Sequence, residues 1–296
     1  MKRAKNRQTE LKVKNDASLQ DYIMEATGKS RTAVKSLFVH KQVFVDGANV
    51  TQHDFKIRKN QVITINSVGT SLEKMDLNNI KIIFEDDDII VVDKPSGLLS
   101  VSTENGSGIT TYSILRNYVK MKSSLNKIFI VHRLDRETSG LMLFAKNERS
   151  KLILQSNWNN IVQQRKYVAV VCGELKKDKE TIVSYLKENT AIKMYVSKNV
   201  NDDAQQAVLS YNVLKRNKNF SLIDVELETG RKNQIRVQMQ EIGHSVAGDK
   251  KYGGKPSAIG RLALHARTLE FIHPATHETM RFSTKIPKKF LIVFDE

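Results

Sequence analysis

Residues 131–147 have the sequence VHRLDRETSGLMLFAKN, and this stretch decides how the whole chain is interpreted. It places Asp135 between Arg133 and Arg136, and the small residues 138–140 that follow permit a tight backbone turn. The apolar run LMLFA behind the turn predicts a strand that would hold the loop rigidly. Taken alone, the charged run is more simply explained as a surface ion-pair cluster, so its meaning depends on the rest of the chain.

Further blocks, in a matching order, resemble the RluA branch of RNA pseudouridine synthases over most of residues 80–290. The signature of that branch, HRLDxxTSGL, corresponds to residues 132–141. The other matching blocks are FEDDDIIVVDKPSGLLS (84–100), KYVAVVCG (166–173), AVLSYNVL (207–214), TGRKNQIRVQMQEIGHSVAGDKKYGG (229–254) and RLALHARTLEFIHP (261–274). Accidental agreement of so many blocks in one order is very improbable.

The resemblance implies an isomerase that converts uridine in structured RNA to pseudouridine, with Asp135 as the nucleophile. Burial raises the pKa of an aspartate from its usual value of about 3.9, and a cation within about 4–6 Å lowers it again. Arg236, at the family's QIR position, is expected to be that cation and to orient the carboxylate. Tyr167, at the family's aromatic strand position, is expected to pack against the uracil and to take the proton from C5.

A stacked uridine must leave the helix before any protein group can reach its C1′ atom, so the resemblance also implies base flipping. Arg133 is expected to occupy the vacated space or to hold flanking phosphates. Further expected phosphate contacts in this domain are Arg136, Lys94, Arg231 and Lys232, although a solvated surface is the default explanation for each.

Three residues depart from the family pattern: Asn233 and Gln238 stand where the family has histidines, and Ser245 where it has proline. None of them is the expected nucleophile or its basic partner. The departures therefore put the hydrogen bonding under the RNA in doubt more than the reaction.

The N-terminal residues predict a small, separate module. Ser18 and Asp21 have capping-box spacing before a helix that Gly28 ends, and Ser30 caps a second helix. Arg31 and Lys35, four residues apart, share one face of that second helix. VFVDGANV (43–50) predicts a strand, an Asp-Gly turn and a return strand. These features resemble the RNA-binding fold first seen in ribosomal protein S4.

We therefore expect an α+β protein with four segments. A basic tail (1–15) precedes a small α/β S4-type module (16–68), a linker (69–79) and a catalytic domain (80–292). The catalytic domain is expected to contain a large mixed or antiparallel sheet and a central RNA-binding cleft. Residues 176–206 are polar, and we expect them to leave the sheet.

Composition supports a polyanionic partner. Across 296 residues, 48 Lys and Arg oppose 32 Asp and Glu, a formal net charge of +16, and residues 1–67 hold 13 of these cations against 6 anions. No apolar run approaches the roughly 20 residues that a membrane helix needs, and the basic N-terminus lacks an apolar signal segment. A single cysteine excludes an internal disulfide. Together with the S4-type module, the resemblance implies large-subunit ribosomal RNA, or else tRNA, as the partner of a cytoplasmic monomer with no protein partner.

Several cofactor chemistries fail on the sequence. GDKKYGGK (248–255) resembles a phosphate-binding loop but has Gly254 and Lys255 where Lys and Ser or Thr are required. His273 and His277 have metal-ligand spacing, yet Pro274 makes a helix through both unfavourable, so we expect two partly exposed loop histidines. Pseudouridine formation oxidises nothing and hydrolyses nothing in net terms, so we expect no metal and no cofactor. An RNA-binding protein with an inactive catalytic domain and an RNA hydrolase using Asp135 remain as alternatives.

Overall fold

The computed structural model describes residues 8–39, 42–66, 77–102, 108–198 and 203–295. The chain divides into two compact units, one holding the residues before 77 with Asn117–Asn126, and the other holding Leu77–Arg116 and everything from Lys127. The first seven residues of the predicted basic tail, and the predicted linker as far as residue 76, lie outside the described residues.

The N-terminal unit contains two helices and several short strands. Its elements are β1 (Gln8–Lys12), β2 (Ala17–Ser18), α1 (Leu19–Thr27), α2 (Arg31–Val39), β3 (Val43–Val45), β4 (Ala48–Asn49), β5 (Lys56–Ile57) and β6 (Val62–Asn66). Four strands form one sheet in the order β1-β6-β3-β4, and β2 pairs with β5. The core contains Leu19 and Ile23 from α1, Val34 and Phe38 from α2, and Ile63 from β6.

Two local predictions in this unit were confirmed. Asp46 and Gly47 turn the chain between β3 and β4 with positive φ angles of 49° and 81°, as a two-residue Asp-Gly hairpin requires. Gly28 ends α1 in the left-handed conformation, with φ 66°.

Two other predictions in this unit were wrong. The predicted basic tail extended to residue 15, but residues 8–12 form β1, which pairs with β6, and Val13 is buried in the core. The cause is the pair of apolar side chains, Leu11 and Val13, that the charge pattern obscured. The Ser18 side chain caps nothing, because the first helical N–H groups bond to the carbonyls of Phe55 and His53 instead.

The elements after residue 77 belong to the larger unit, apart from the second half of α3, whose residues from Asn117 belong to the first unit. They are β7 (Lys81–Glu85), β8 (Ile89–Lys94), α3 (Thr111–Lys122), β9 (Phe129–Ile130), β10 (Ser139–Ala145), α4 (Glu148–Ser156), α5 (Trp158–Ile161), β11 (Val162–Cys172), β12 (Lys179–Glu188), β13 (Met194–Val196), β14 (Gln205–Arg216), β15 (Phe220–Leu227), α6 (Gln234–Glu241), β16 (Leu264–Ile272), β17 (Thr279–Ser283) and α7 (Lys288–Leu291), with a 3₁₀ turn at Ile292–Phe294.

Eleven strands of the described residues form one mixed sheet. Its main path runs β13-β12-β14-β15-β11-β16-β10-β8-β7, with β17 beside β16 and β9 beside β10. All pairings are antiparallel except β10 with β16, which meet in parallel over two residues. This confirms the predicted α+β class with a large mixed sheet. The main apolar core lies under β11, β14, β15 and β16 and is covered by α6 and α7.

The prediction that residues 176–206 leave the sheet was wrong. Within that range, β12 pairs with β14 over eight residues, and β13 pairs with β12 at the end of the sheet. Exposed and partly buried residues alternate from Lys179 to Ser184 of β12, so its high polarity reflects one solvated face. Among the described residues, no helix is long and apolar enough to span a bilayer.

Candidate active site

Asp135 lies on the loop between β9 and β10, and the backbone of this loop is held by the segment just after β8. The hydroxyl of Ser100 donates to the carbonyl of Leu134 at 2.7 Å and accepts the N–H of the same residue at 3.2 Å. The carbonyl of Arg136 accepts the N–H of Gly97 at 2.9 Å. Both neighbours of Asp135 are therefore anchored, which explains why the KPSG segment accompanies the HRLD segment.

The strand that follows this loop meets β16 at a glycine. Gly140 has a φ of +114°, and a Cβ atom there would lie 2.1 Å from the carbonyl oxygen of Ala266. Only glycine allows this approach, because every other side chain would collide with backbone. The close contact brings the loop of Asp135 beside the strands that carry the other candidate groups.

Arg236, in the first turns of α6, forms ion pairs with two carboxylates. Its Nη1 lies 2.9 Å from Oδ2 of Asp135, while Nε and Nη2 bind the two oxygens of Asp249 at 2.6 and 2.9 Å. The Asp249 side chain is fully buried, and those of Arg236 and Asp135 are 11% and 27% exposed. Burial opposes the charge of Arg236, but the hydrogen bonds and charges of Asp249 and Asp135 outweigh it and raise the pKa of the guanidinium.

Asn233 supplies a second donor to Asp135. Its Nδ2 lies 2.5 Å from the same carboxylate oxygen that Arg236 contacts. The hydroxyl of Tyr252 accepts the N–H of Met194 at 3.2 Å and donates to Oδ1 of Asn233 at 3.1 Å, so its orientation determines that of the amide. Asn233 itself has a φ of 54°, a left-handed conformation that asparagine tolerates.

Tyr167 faces the same cleft from β11. It pairs with Val225 of β15 and Ala266 of β16, and the register against β16 shifts between Lys166 and Tyr167. Such irregularities redirect a side chain relative to its neighbours. Burial raises the pKa of Tyr167 to about 12, which the nearby Arg165 opposes and Asp135 reinforces, so the hydroxyl is protonated at neutral pH.

A cleft of about 400 Å³ joins these groups. It is lined by Asp135, Tyr167 and Arg236 together with Arg133, Arg231 and Asn233. The structure therefore brings the three predicted catalytic side chains and two of the predicted RNA contacts to one surface. A carboxylate held by an arginine and an amide, next to an aromatic ring, is suited to attack on a planar base or on its sugar carbon.

Comparison with known proteins agrees with this geometry. A family model described as RNA pseudouridylate synthase matches residues 88–241, more than half of the chain. The chain belongs to this family. The reaction is therefore the isomerisation of uridine in RNA to pseudouridine, and the resemblance seen in the sequence is confirmed for the catalytic domain.

Two relatives match this synthase over most of their own length. An RNA pseudouridine synthase of Bacillus subtilis is 35% identical over 268 residues, which cover 88% of this chain and 86% of the relative. The ribosomal large subunit pseudouridine synthase D of Buchnera aphidicola subsp. Schizaphis graminum is 32% identical over 282 residues, 88% of this chain and 87% of the relative. The solved structure of human RNA pseudouridylate synthase domain containing 4 shares the fold, with a TM-score of 0.59, 24% identity, and 71% and 90% coverage.

Lys94 was wrongly predicted as a phosphate contact. Its side chain is fully buried, and its Nζ donates to the carbonyls of Pro95, Leu98 and Arg136 at 2.9, 2.7 and 3.2 Å. Burial lowers the pKa of Lys94 to about 8. All three donors are used inside the protein, so this lysine fastens the catalytic loop and cannot reach RNA.

The other predicted RNA contacts are exposed. In the synthase unit, Arg133, Arg136, Arg231 and Lys232 are all exposed, and Lys232 forms an ion pair with Glu188. In the N-terminal unit, Arg31 and Lys35 are exposed on α2.

His273 does not match the prediction of a partly exposed loop histidine. It is 2% exposed, and its Nδ1 accepts two backbone N–H groups, so Nε2 carries the proton that is donated to Asp86 at 3.0 Å. Asp88 lies close enough to complete a three-residue cluster. Its Oδ1 is already hydrogen-bonded to Asn147 and Ser150, and these bonds lower the pKa of Asp88. The side chains that could bind a metal are thus engaged in hydrogen bonds that connect the β7–β8 turn to neighbouring residues.

Asp249 and Tyr252 are site residues that the sequence pattern alone did not single out. Both lie in GDKKYGGK, which belongs to the matching block 229–254 and resembles a phosphate-binding loop, but neither observation assigned a role to these two residues. The signal was the match of this stretch to the GDxxYG part of the family pattern. Asn233 was noticed only as a departure, although its amide contacts the expected nucleophile.

Proposed function

We propose that this synthase modifies uridines of large-subunit ribosomal RNA and that Asp135 is its nucleophile. The contact of Asp135 with Arg236 and Asn233, inside a cleft that also contains Tyr167, is the observation that carries the assignment. The large-subunit substrate is supported by the names of relatives that align over most of both chains. A tRNA substrate is the alternative within the same chemistry.

The reaction breaks the N1–C1′ bond of uridine, turns the uracil and joins C5 to C1′. One proton leaves C5 and one reaches N1, so the balance needs no oxidant, reductant or water. Asp135 attacks as a carboxylate and holds the intermediate while the base turns. Its charge-assisted hydrogen bond with the guanidinium of Arg236 orients the carboxylate for this step.

Arg236 acts as a positioning residue in this scheme. Two of its nitrogens bind the buried Asp249, so the guanidinium cannot swing away, and the third presents a charge-assisted hydrogen bond to Asp135. Asn233 constrains the same carboxylate oxygen from a second direction. The carboxylate is thereby oriented before RNA arrives, which lowers the cost of reaching the reactive geometry.

Tyr167 supplies the aromatic wall of the base pocket and the acceptor for the C5 proton. Because its hydroxyl is protonated in the free enzyme, the oxygen accepts the C5 proton only as it passes its own proton onward, for example to N1 of the product. This proton relay needs no tyrosinate at neutral pH.

RNA is held by basic groups around the cleft. Arg133 lines the cleft beside Asp135. Its side chain fills the gap that the flipped uridine leaves in the base stack. Arg136, Arg231 and Lys232 contact flanking phosphates. The N-terminal unit, with β1 included, acts as an S4-type RNA-binding module with Arg31 and Lys35 on its RNA face, and it precedes the catalytic domain (80–292). The enzyme works as a cytoplasmic monomer.

The test maps pseudouridines in ribosomal RNA and tRNA from cells with and without the gene, complemented by parent or Asp135→Asn protein. We expect loss of sites in large-subunit RNA without the gene and no rescue by Asp135→Asn, with activity below about one thousandth of the parent. Glu137→Gln is the matched control, because Glu137 is an exposed carboxylate on the same loop.

Three results would contradict the proposal. Residual turnover by Asp135→Asn would remove the assigned nucleophile, and lost sites confined to tRNA would change the substrate. Release of free uracil from RNA would indicate a hydrolase.

A further inference from the structure

A second cleft lies on the loop that carries Asp249 and Tyr252, and nothing in the proposed mechanism uses it. It encloses about 440 Å³ and is lined by Lys250, Pro256, Ser257 and Arg261 and by three glycines. This is the stretch that resembles a phosphate-binding loop without meeting the requirements of one.

The loop needs its glycines. A Cβ atom at Gly254 would lie 1.9 Å from the carbonyl oxygen of Val246, and one at Gly248 would lie 2.3 Å from that of Arg261. The N–H groups of Gly248 and Gly254 are already bonded to carbonyls of the same loop. These two amides are therefore not free to bind an anion, and the side chains that line the cleft are the candidate anion ligands.

Arg261 is the first such group. It is half-buried, and its one hydrogen bond among the described residues runs from Nη1 to the carbonyl of Leu262 at 3.2 Å. Burial lowers the pKa of Arg261, and Glu137 and Asp93 oppose this only through longer-range attraction. The guanidinium also lies 4.9 Å from the ring centre of Phe290. A half-buried guanidinium without a carboxylate partner has unused donors that favour an anion.

Lys250 and Ser257 supply two more donors. Lys250 is exposed at the cleft and has no hydrogen bond or ion pair with the described residues. The Ser257 hydroxyl oxygen is buried and has no hydrogen-bond partner within the described part of the chain. An unpaired buried hydroxyl is costly unless a ligand or water completes it.

The position of the cleft indicates which anion it meets. Gly248 directly precedes Asp249, which holds Arg236, and Arg261 is attracted by Glu137, two residues beyond Asp135. The cleft therefore lies on the loop that holds Arg236 and close to the loop that carries the proposed nucleophile. We propose that Lys250, Arg261 and Ser257 form a subsite for a backbone phosphate of the substrate RNA near the flipped uridine. This proposal rests on the proposed function for the identity of the RNA.

The test measures the salt dependence of RNA binding with full-length protein and a fluorescein-labelled oligouridylate. Single-stranded RNA loses about 0.7 in the slope of log K against log salt for each phosphate contact removed. We expect Lys250→Gln and Arg261→Gln each to flatten the slope by about 0.7. A fourfold rise in salt would then cost each variant about 2.6-fold less affinity than it costs the parent. Lys250→Arg, which keeps the charge, should bind like the parent.

Lys218→Gln is the matched control. Lys218 is an exposed lysine on the β14–β15 hairpin, at the end of β15 opposite the strand segment that pairs with Tyr167, and it has no hydrogen bond or ion pair with the described residues. Lys218→Gln removes the same charge as Lys250→Gln and should leave the slope of log K against log salt unchanged. Lys250→Gln alters only an exposed side chain. Its salt slope can therefore be interpreted even if Arg261→Gln destabilises the fold.

Slopes for Lys250→Gln and Arg261→Gln equal to that of the control would overturn the subsite. Lower thermal stability of Arg261→Gln with an unchanged slope would also overturn it, since Arg261 would then be a structural cation on Phe290. Pseudouridine formation in ribosomal RNA is assayed with the same preparations. Its absence from the parent would refute the proposed function, while the slopes would still decide whether the cleft binds phosphate.

Discussion

A neutral amide connects the expected nucleophile to the protein framework. Asn233 donates to Asp135 and accepts from Tyr252, and it does so from a left-handed backbone conformation. The pattern of related synthases has histidine at this position. Asparagine and histidine are both enriched at positive φ, so either can hold this backbone, but only histidine can become charged near neutral pH.

Asn233→His should therefore introduce a new ionisation into the rate. The imidazole can keep a donor on Asp135, and proximity to that carboxylate should place its pKa at or above the usual value of about 6.5. We expect a single-turnover rate that changes between about pH 6 and 8 in this variant only. Asn233→Ala should be about 10–100-fold slower than the parent with no new titration, because it loses a hydrogen bond to a charged group. Identical profiles for the histidine variant and the parent would show that position 233 does not sense the reacting carboxylate.

The raised pKa of Tyr167 leads to a second prediction. Tyr167→Phe keeps the ring and removes the hydroxyl, so RNA binding should persist while tritium release from [5-³H]uridine RNA slows by about 100-fold or more. Because the hydroxyl titrates only near 12, the parent rate should show no rise from tyrosinate formation between about pH 7 and 10. Release at the parent rate would restrict Tyr167 to packing against the base.

At the scale of residues, the sequence predicts the side chains that lie in a distinctive motif. It misses the side chains whose role depends on a contact with a distant part of the chain. Asp135, Tyr167 and Arg236 were selected from motif positions, and they share one cleft. Lys94 was misassigned because a lysine after a strand looks exposed, and nothing local shows that three carbonyls surround it. Asp249 lies thirteen residues beyond Arg236, and no periodicity in the sequence indicates that they pair.

At the scale of elements, the parallel contact between β10 and β16 depends on Gly140. A methyl group there would meet the backbone of Ala266 at 2.1 Å and would also occupy an unfavourable φ of +114°. We expect Gly140→Ala to lower the free energy of unfolding by about 2–4 kcal/mol. The measurement is urea denaturation of the full chain.

Gly243→Ala is the matched control for that measurement. Gly243 has a φ of +83°, but no atom lies within 4 Å of the position that a Cβ atom would take, so this variant isolates the conformational strain. Its cost should be about 1–2 kcal/mol. Equal losses for the two variants would mean that the close approach of the strands contributes nothing beyond backbone strain.

Element boundaries followed from local pattern where apolar periodicity was strong. The helices predicted before Gly28 and after Ser30 appear as α1 and α2, and the Asp-Gly hairpin appears between β3 and β4. Two other elements, β1 and β12, were missed because charge and polarity on one solvated face hid the alternation on the other. One neighbour of β10, β16, comes more than a hundred residues later, and local sequence carries no information about such a pairing.

At the scale of the whole molecule, the positive charge is distributed over both units. The first 67 residues hold 13 Lys and Arg against 6 Asp and Glu, a surplus of seven within the total of +16. None of Asp135, Tyr167 and Arg236 lies there. If this unit binds RNA through the face of α2, its contribution should appear in affinity and in salt dependence and not in the chemical step.

Arg31→Gln/Lys35→Gln in the full chain tests this division of labour. Both side chains are exposed and four residues apart on α2, so their removal should not disturb the buried side chains Val34 and Phe38. We expect the salt slope of binding to large-subunit RNA to flatten by about 1.4–1.8, since each phosphate contact contributes about 0.7–0.9. The single-turnover rate at saturating RNA should change less than twofold.

Arg58→Gln/Lys59→Gln removes two exposed charges from the turn between β5 and β6 of the same unit and serves as the control. An equal flattening by both pairs would mean that net charge, and not the α2 face, attracts the RNA. A collapse of the saturating rate would mean that the N-terminal unit helps to place the uridine in the cleft, and the division between binding and chemistry would be wrong.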